Sequence, residues 1–90
     1  MDADEISWLR ANKHRIVVGT SEEGLAQFEL DDAEVYDALD DYLEEVLEGS
    51  LGEFWYRDPK DEATGVRTHQ IIFRDPQVSK AQLLDVVNGI

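Results

Sequence analysis

The stretch DDAEVYDALDDYLEEVLEG, residues 31–49, contains nine carboxylates and no lysine or arginine. Projected at about 100° per residue, its apolar side chains fall on one arc and its acids on the opposite arc. The pattern predicts an amphipathic helix that begins at a D-x-x-E capping box formed by Asp31 and Glu34 and ends at Gly49. The apolar arc comprises Val35, Ala38, Leu39, Tyr42, Leu43, Val46 and Leu47.

The segments before this helix predict a short helix and a β-hairpin. Residues 4–12 are typical of a helix with acids in the first turn and cations near the end. Residues 14–18 then alternate, with Ile16 and Val18 on one face, and residues 25–30 alternate again after the turn GTSEEG, 19–24.

The segments after the helix repeat the pattern of two strands and a helix. An aromatic strand over 53–57 and a strand over 66–74 flank the polar turn DPKDEATG, 58–65. Ser79 and Gln82 then form an S-x-x-Q capping box for a final helix. The order α-β-β-α-β-β-α predicts one small α+β domain over residues 1–90, with a four-stranded antiparallel sheet and helices packed mainly on one face.

The net charge of −13 is the strongest feature of the composition. A field of this sign repels nucleic acid and anionic membranes, and it attracts basic proteins. The excess of acids and the scarcity of lysine resemble the composition of proteins from halophiles that accumulate salt in the cytoplasm. The start MDADE lacks the basic and apolar regions of a signal peptide, and no run approaches the ~20 apolar residues of a membrane span. We therefore expect a cytoplasmic protein without direct nucleic-acid or membrane binding.

Motifs for catalysis are scarce. The chain has no cysteine, its serines lie outside nucleophile motifs, and GTSEEG lacks the Lys-Ser/Thr of a phosphate loop. His14 and His69 lie on predicted strands and define an alternative, a small metal-dependent enzyme with carboxylate ligands, although no metal-ligand spacing supports it. We predict no catalytic residue, no metal and no cofactor.

Four acids on the outer arc form what we call the acidic stripe: Asp37, Asp41, Glu44 and Glu48. Carboxylates four residues apart on a helix repel each other by about 0.2–0.5 kcal/mol per pair. Three explanations can account for a helix that tolerates this repulsion. High cytoplasmic salt screens it, a basic protein partner neutralises it, or the acids mimic nucleic-acid phosphates and bind a DNA-binding protein. Acids spread over the rest of the chain favour the first.

Two further groups are candidates for contact with a partner. Trp55 and Tyr56 are adjacent on a predicted strand, so one of them faces away from the core. Arg10, Lys13 and Arg15 form a basic patch near the end of the first helix, where ordinary helix-end charges are the simpler interpretation. We predict a non-enzymatic interaction or regulatory domain whose partner is a protein, basic in character, or a second copy of the chain.

Overall fold

A computed structural model describes residues 1–90 and has the predicted α+β fold, with three helices and a four-stranded antiparallel sheet. The helices and strands, in chain order, are α1 (Ala3–Asn12), β1 (Val17–Thr20), β2 (Ala26–Leu30), α2 (Ala33–Asp41), β3 (Phe54–Arg57), β4 (His69–Phe73) and α3 (Lys80–Gly89). A 3₁₀ turn, Lys13–Arg15, precedes β1, and a π-helical segment, Tyr42–Val46, continues α2.

The strands lie in the order β1-β2-β4-β3, and all neighbours are antiparallel. Because side chains alternate across a strand, Phe28, Ile71 and Phe73 share one face of the sheet. That face packs against the buried side chains of the three helices, Leu9, Val35, Leu39 and Leu83, in one core. The opposite face carries no helix and holds Gln27, Glu29, Trp55, Gln70 and Ile72.

The predicted capping box of α3 is confirmed. Ser79 Oγ accepts a hydrogen bond from Gln82 N–H at 3.2 Å, and Gln82 Oε1 accepts one from Ser79 N–H at 2.7 Å. The cap of α2 lies one residue later than predicted. Asp32, not Asp31, accepts from the N–H groups of Glu34 and Val35.

The strand predicted over residues 14–18 begins only at Val17. Helical hydrogen bonding continues through Lys13–Arg15, where Ile16 N–H donates to Lys13 O at 3.0 Å. Before Ile16 this segment has no inward apolar side chain to hold it on the sheet. The strand predicted over 66–74 is likewise shorter, and only the isolated pair of Lys60 and Arg67 extends it.

The second half of the acidic helix departs from regular α geometry. The π-helical segment adds backbone to each turn and shifts the phase that the 100° projection assumes. Val35, Leu39, Tyr42 and Leu43 are buried as predicted, but Val46 is 41% exposed. The segment ends with Glu48 and Gly49 at positive φ, and Gly49 N–H donates to Leu43 O.

Candidate functional site

The acidic stripe lies on the outer face of α2 and its π-helical continuation. All four of its side chains, Asp37, Asp41, Glu44 and Glu48, are exposed. None of them takes part in a salt bridge, and three of the arginines pair with acids elsewhere in the chain. Arg15 contacts Asp31 and Asp32, Arg57 contacts Glu23, and Arg74 contacts Glu53. The stripe is therefore negative charge that the chain itself does not neutralise.

One flank of the stripe borders a groove between α1 and α2, which we call the α1–α2 groove. It has a volume of about 440 Å³ and is lined by Asp2, Asp4, Glu5, Trp8, Glu34, Ala38 and Asp41. Trp8 is 40% exposed. The groove thus combines an indole with carboxylates from two helices and no cationic side chain.

The other flank borders a group of aromatic and acidic side chains, which we call the tyrosine patch: Tyr36, Asp40, Tyr56, Asp58 and His69. The ring of Tyr36 stacks on His69, with centroids 4.9 Å apart, and meets Tyr56 edge to face at 5.9 Å. The Tyr56 hydroxyl donates to Asp40 Oδ1 at 2.6 Å, and His69 Nδ1 lies 2.9 Å from Asp58 Oδ1. Tyr56 itself is 50% exposed.

The tyrosine patch favours neutral phenols. Partial burial, reinforced by Asp58, Asp40 and Asp37, raises the pKa of Tyr36 to about 12. Partial burial and the hydrogen bond to Asp40 also raise the pKa of Tyr56. These aromatic rings therefore stay uncharged beside a carboxylate surface, which is the electrostatic setting that attracts an organic cation.

The two predicted contact residues of β3 lie on opposite faces of the sheet. Tyr56 is on the helix side, where it joins α2 through Asp40. Trp55 is on the open side, opposite Ile72, and the guanidinium carbon of Arg74 lies 4.9 Å from its ring centroid. Trp55 and the acidic stripe therefore do not form one continuous surface.

The residues of the basic patch have mostly internal contacts. Arg10 Nε donates to the Ile90 carbonyl at 2.7 Å, which ties α1 to the end of α3. Arg15 contacts the two acids at the start of α2. Lys13 has no salt bridge and is half-buried in the 3₁₀ turn.

The two histidines are separated by the sheet topology. His14 lies in the 3₁₀ turn before β1, whereas His69 begins β4, and β2 lies between these strands. His14 therefore precedes an edge strand that is not a neighbour of β4. No group of three or more histidine, aspartate and glutamate side chains is arranged to hold a metal ion.

Two contributors to this surface, Asp40 and Asp58, were not singled out in the sequence. Tyr36 and Asp40 are four residues apart and so share a helix flank, which is a signal that sequence can supply. The contacts with Tyr56 and His69 depend on how β3 and β4 pair, and the local sequence does not predict that pairing.

No helix is long and apolar enough to cross a membrane. The fold and surface define a class, a small α+β domain whose central helix presents unpaired acids between two aromatic flanks. Comparison with protein families, curated proteins and solved structures finds no match to this chain.

Proposed function

We propose that this chain is a non-enzymatic interaction or regulatory domain that binds a lysine- and arginine-bearing segment of a partner protein across α2. The observation that carries the proposal is the acidic stripe, four exposed carboxylates without a cationic partner in their own chain. A basic segment supplies the missing cations and lowers the repulsion between Asp37 and Asp41.

The aromatic flanks give such a segment more than a charged surface. Lysine and arginine side chains bind the faces of tryptophan and tyrosine rings, and their apolar stems bury area there. Trp8 lies in the α1–α2 groove on one side and Tyr56 in the tyrosine patch on the other. Aromatic side chains of this kind often dominate the binding energy of an interface.

Cytoplasmic residence in an organism with high internal salt is part of the same proposal. It is supported by the net charge of −13, which is spread over the whole chain and not confined to α2. In molar salt the general attraction of charges is screened, so a surface that also has aromatic contacts keeps its selectivity.

The test is binding of a fluorescein-labelled (Lys-Gly)₅ peptide, followed by anisotropy in about 0.1 M salt, with (Glu-Gly)₅ as the peptide control. The stripe variant carries Asp37→Lys, Asp41→Lys, Glu44→Lys and Glu48→Lys. The matched control variant carries the same four-fold change at exposed acids outside α2 and outside every proposed binding surface: Asp61, Glu62, Asp75 and Asp85. Each change adds two charges, so both variants have a formal charge of −5.

We expect the stripe variant to lose affinity at least about tenfold and the matched control variant to lose much less. Far-ultraviolet circular dichroism checks that both variants are folded. Equal losses in the two variants mean that net charge alone attracts the peptide, and they contradict the proposal.

Nucleic-acid mimicry is a special case in which the partner is a DNA-binding protein. The unpaired stripe at one-turn spacing is the observation that favours it. For this case we expect the chain to displace duplex DNA from a basic DNA-binding protein at low salt, and the stripe variant not to do so.

A further inference from the structure

The open face of the sheet contains a small polar pocket that is separate from the acidic stripe. Its volume is about 190 Å³, and none of its lining residues is hydrophobic. The lining comprises Thr20, Ser21, Glu22, Gln27, Glu29, Arg57, Pro59 and Gln70. The strand pairing creates it, because Glu29 of β2 lies opposite Gln70 of β4.

Glu29 is held in place by two amides. Its Oε1 accepts a hydrogen bond from Gln27 Nε2 at 2.9 Å and another from Gln70 Nε2 at 3.1 Å. Its Oε2 has no hydrogen-bond partner in the chain and lies on the side toward Gly19. One carboxylate oxygen is thus anchored while the other is free to accept.

Gln27 adds a second free acceptor. The residue is only 3% exposed, and its buried Oε1 has no hydrogen-bond partner. A buried carbonyl without a donor is unfavourable, and nearly all such groups in folded proteins are satisfied. Turning the amide over does not help, because Oε1 would then face the Glu29 carboxylate. Gln27 Oε1 therefore lacks a hydrogen-bond donor, and a group from outside the chain can supply one.

The charges around the pocket favour a cation over an anion. Glu22 and Glu29 are both acidic, whereas the cation that lines the pocket, Arg57, donates to Glu23 Oε1 at 2.6 Å. That hydrogen bond holds the pKa of Glu23 down to about 2, so the ion pair persists across the neutral range. An anionic ligand has to displace Glu23 and approach two other carboxylates.

We propose that this pocket binds a primary ammonium group, for which Glu29 Oε2 and Gln27 Oε1 are the unpartnered acceptors. An ammonium group brings three donors and one positive charge, which matches two free acceptors in an acidic setting. The lining has no hydrophobic residue, so the ligand is recognised by its head group and not by an apolar body. The inference is independent of the proposed function, since the pocket lies on the sheet face that carries no helix.

Because Gly19 has no side chain, there is space beside Glu29 Oε2. Gly19 pairs with Gln27 across β1 and β2, and a Cβ built on it meets only Glu29 Oε2, at 4.0 Å. Gly19→Val therefore adds a side chain next to the acceptor while every pocket residue stays in place. Because valine favours strands, this variant is expected to fold at least as well as the parent.

The experiment is an NMR titration of the side-chain NH₂ signals of Gln27 and Gln70 in the full chain. Methylammonium chloride is the probe, and tetramethylammonium chloride is the control at equal ionic strength, since it has the charge but no N–H donor. We expect a saturable shift with methylammonium only. In a third arm, Nα-acetyl-lysine N-methylamide tests lysine as it occurs in a protein: saturable binding adds partner lysines to the ligands, and its absence restricts the site to free amines.

Two variants locate the effect, with the Gln70 signal as the readout. Gln27→Met removes the orphan acceptor at similar size, and Gly19→Val blocks the free oxygen; both are expected to lose most of the shift. Gln77→Met, at an exposed glutamine outside the pocket, is expected to titrate like the parent. No saturable shift, equal shifts with both cations, or unchanged titration of the two pocket variants overturns the inference.

Discussion

The phenolic hydroxyl of Tyr56 donates to Asp40 Oδ1 over 2.6 Å, and this hydrogen bond joins the edge strand β3 to the acidic face of α2. It connects two features that are 16 residues apart in the chain, one apolar strand and one charged helix. The contact places an aromatic ring beside carboxylates that have no cation of their own. It also gives Asp40, an acid of α2 that is not part of the acidic stripe, a hydrogen-bond donor within the chain.

Tyr56→Phe tests this connection directly. Removing a hydrogen bond between a phenol and a partly exposed carboxylate is expected to lower the free energy of unfolding by about 0.5–1.5 kcal/mol. Urea unfolding measures the change. Tyr42→Phe is a control at a tyrosine for which the structure shows no side-chain hydrogen bond, and it is expected to change stability less.

Raised tyrosine pKa values make stability depend on alkaline pH. Tyr36 has a pKa of about 12 in the folded chain against 10.0 for a free phenol, so folding favours its neutral form. The stability from this preference is complete below the unfolded pKa and is lost as pH rises through the folded pKa. We expect unfolding free energy to fall between about pH 10 and 12 and to fall less in Tyr36→Phe. Equal slopes for both proteins would contradict the assignment.

The start of α2 offers a comparison between neighbouring acids. Asp32→Ala removes the acceptor for Glu34 N–H and Val35 N–H and is expected to cost about 1 kcal/mol. Asp31→Ala removes only an exposed contact with Arg15, 3.4 Å long, and is expected to cost much less. Chemical unfolding of the two variants decides between the cap at Asp32 and the cap that the sequence predicts at Asp31.

A single change in the acidic stripe should separate stability from binding. Asp41→Lys replaces the repulsion with Asp37, four residues earlier in α2, by an attraction in the favourable order. The expected gain is about 0.4–1 kcal/mol at low salt, twice the usual effect of one such pair. The same variant is expected to bind the (Lys-Gly)₅ peptide more weakly. Higher stability together with unchanged peptide binding would remove Asp41 from the proposed surface.

The salt dependence of stability distinguishes two explanations of the acidic stripe, adaptation to high salt and contact with a partner. We expect the thermal midpoint to rise between about 0.1 and 3 M KCl, because at ~1 M the Debye length is near 3 Å and repulsion within α2 is screened. A variant with Asp37→Asn, Asp41→Asn, Glu44→Gln and Glu48→Gln should respond less. A midpoint that ignores salt contradicts the halophilic explanation and leaves the acidic stripe to be explained by a partner alone.

The extents of the π-helical segment and of β1 show where periodicity fails as a guide. A projection at fixed angle places Val46 with the core, yet the wider turn at Tyr42–Val46 moves it to the surface. Alternation extends β1 back to His14, but the helical hydrogen bonds of Lys13–Arg15 prevail there. Both errors occur where the backbone hydrogen-bonding pattern changes, which a fixed period does not register.

The sequence by itself determined the element order, the inward faces of β2 and α2, and the capping box at Ser79. These features arise from spacing within a few residues, where side-chain periodicity and hydrogen bonds to nearby backbone act without help. Only the tertiary structure decided that Tyr56 meets Asp40, that Trp8 lines a groove with Asp41, and that two amides hold Glu29. Each depends on the order β1-β2-β4-β3 and on how α1 lies against α2. Contacts between distant segments are set by burial of the whole core, and no local pattern records them.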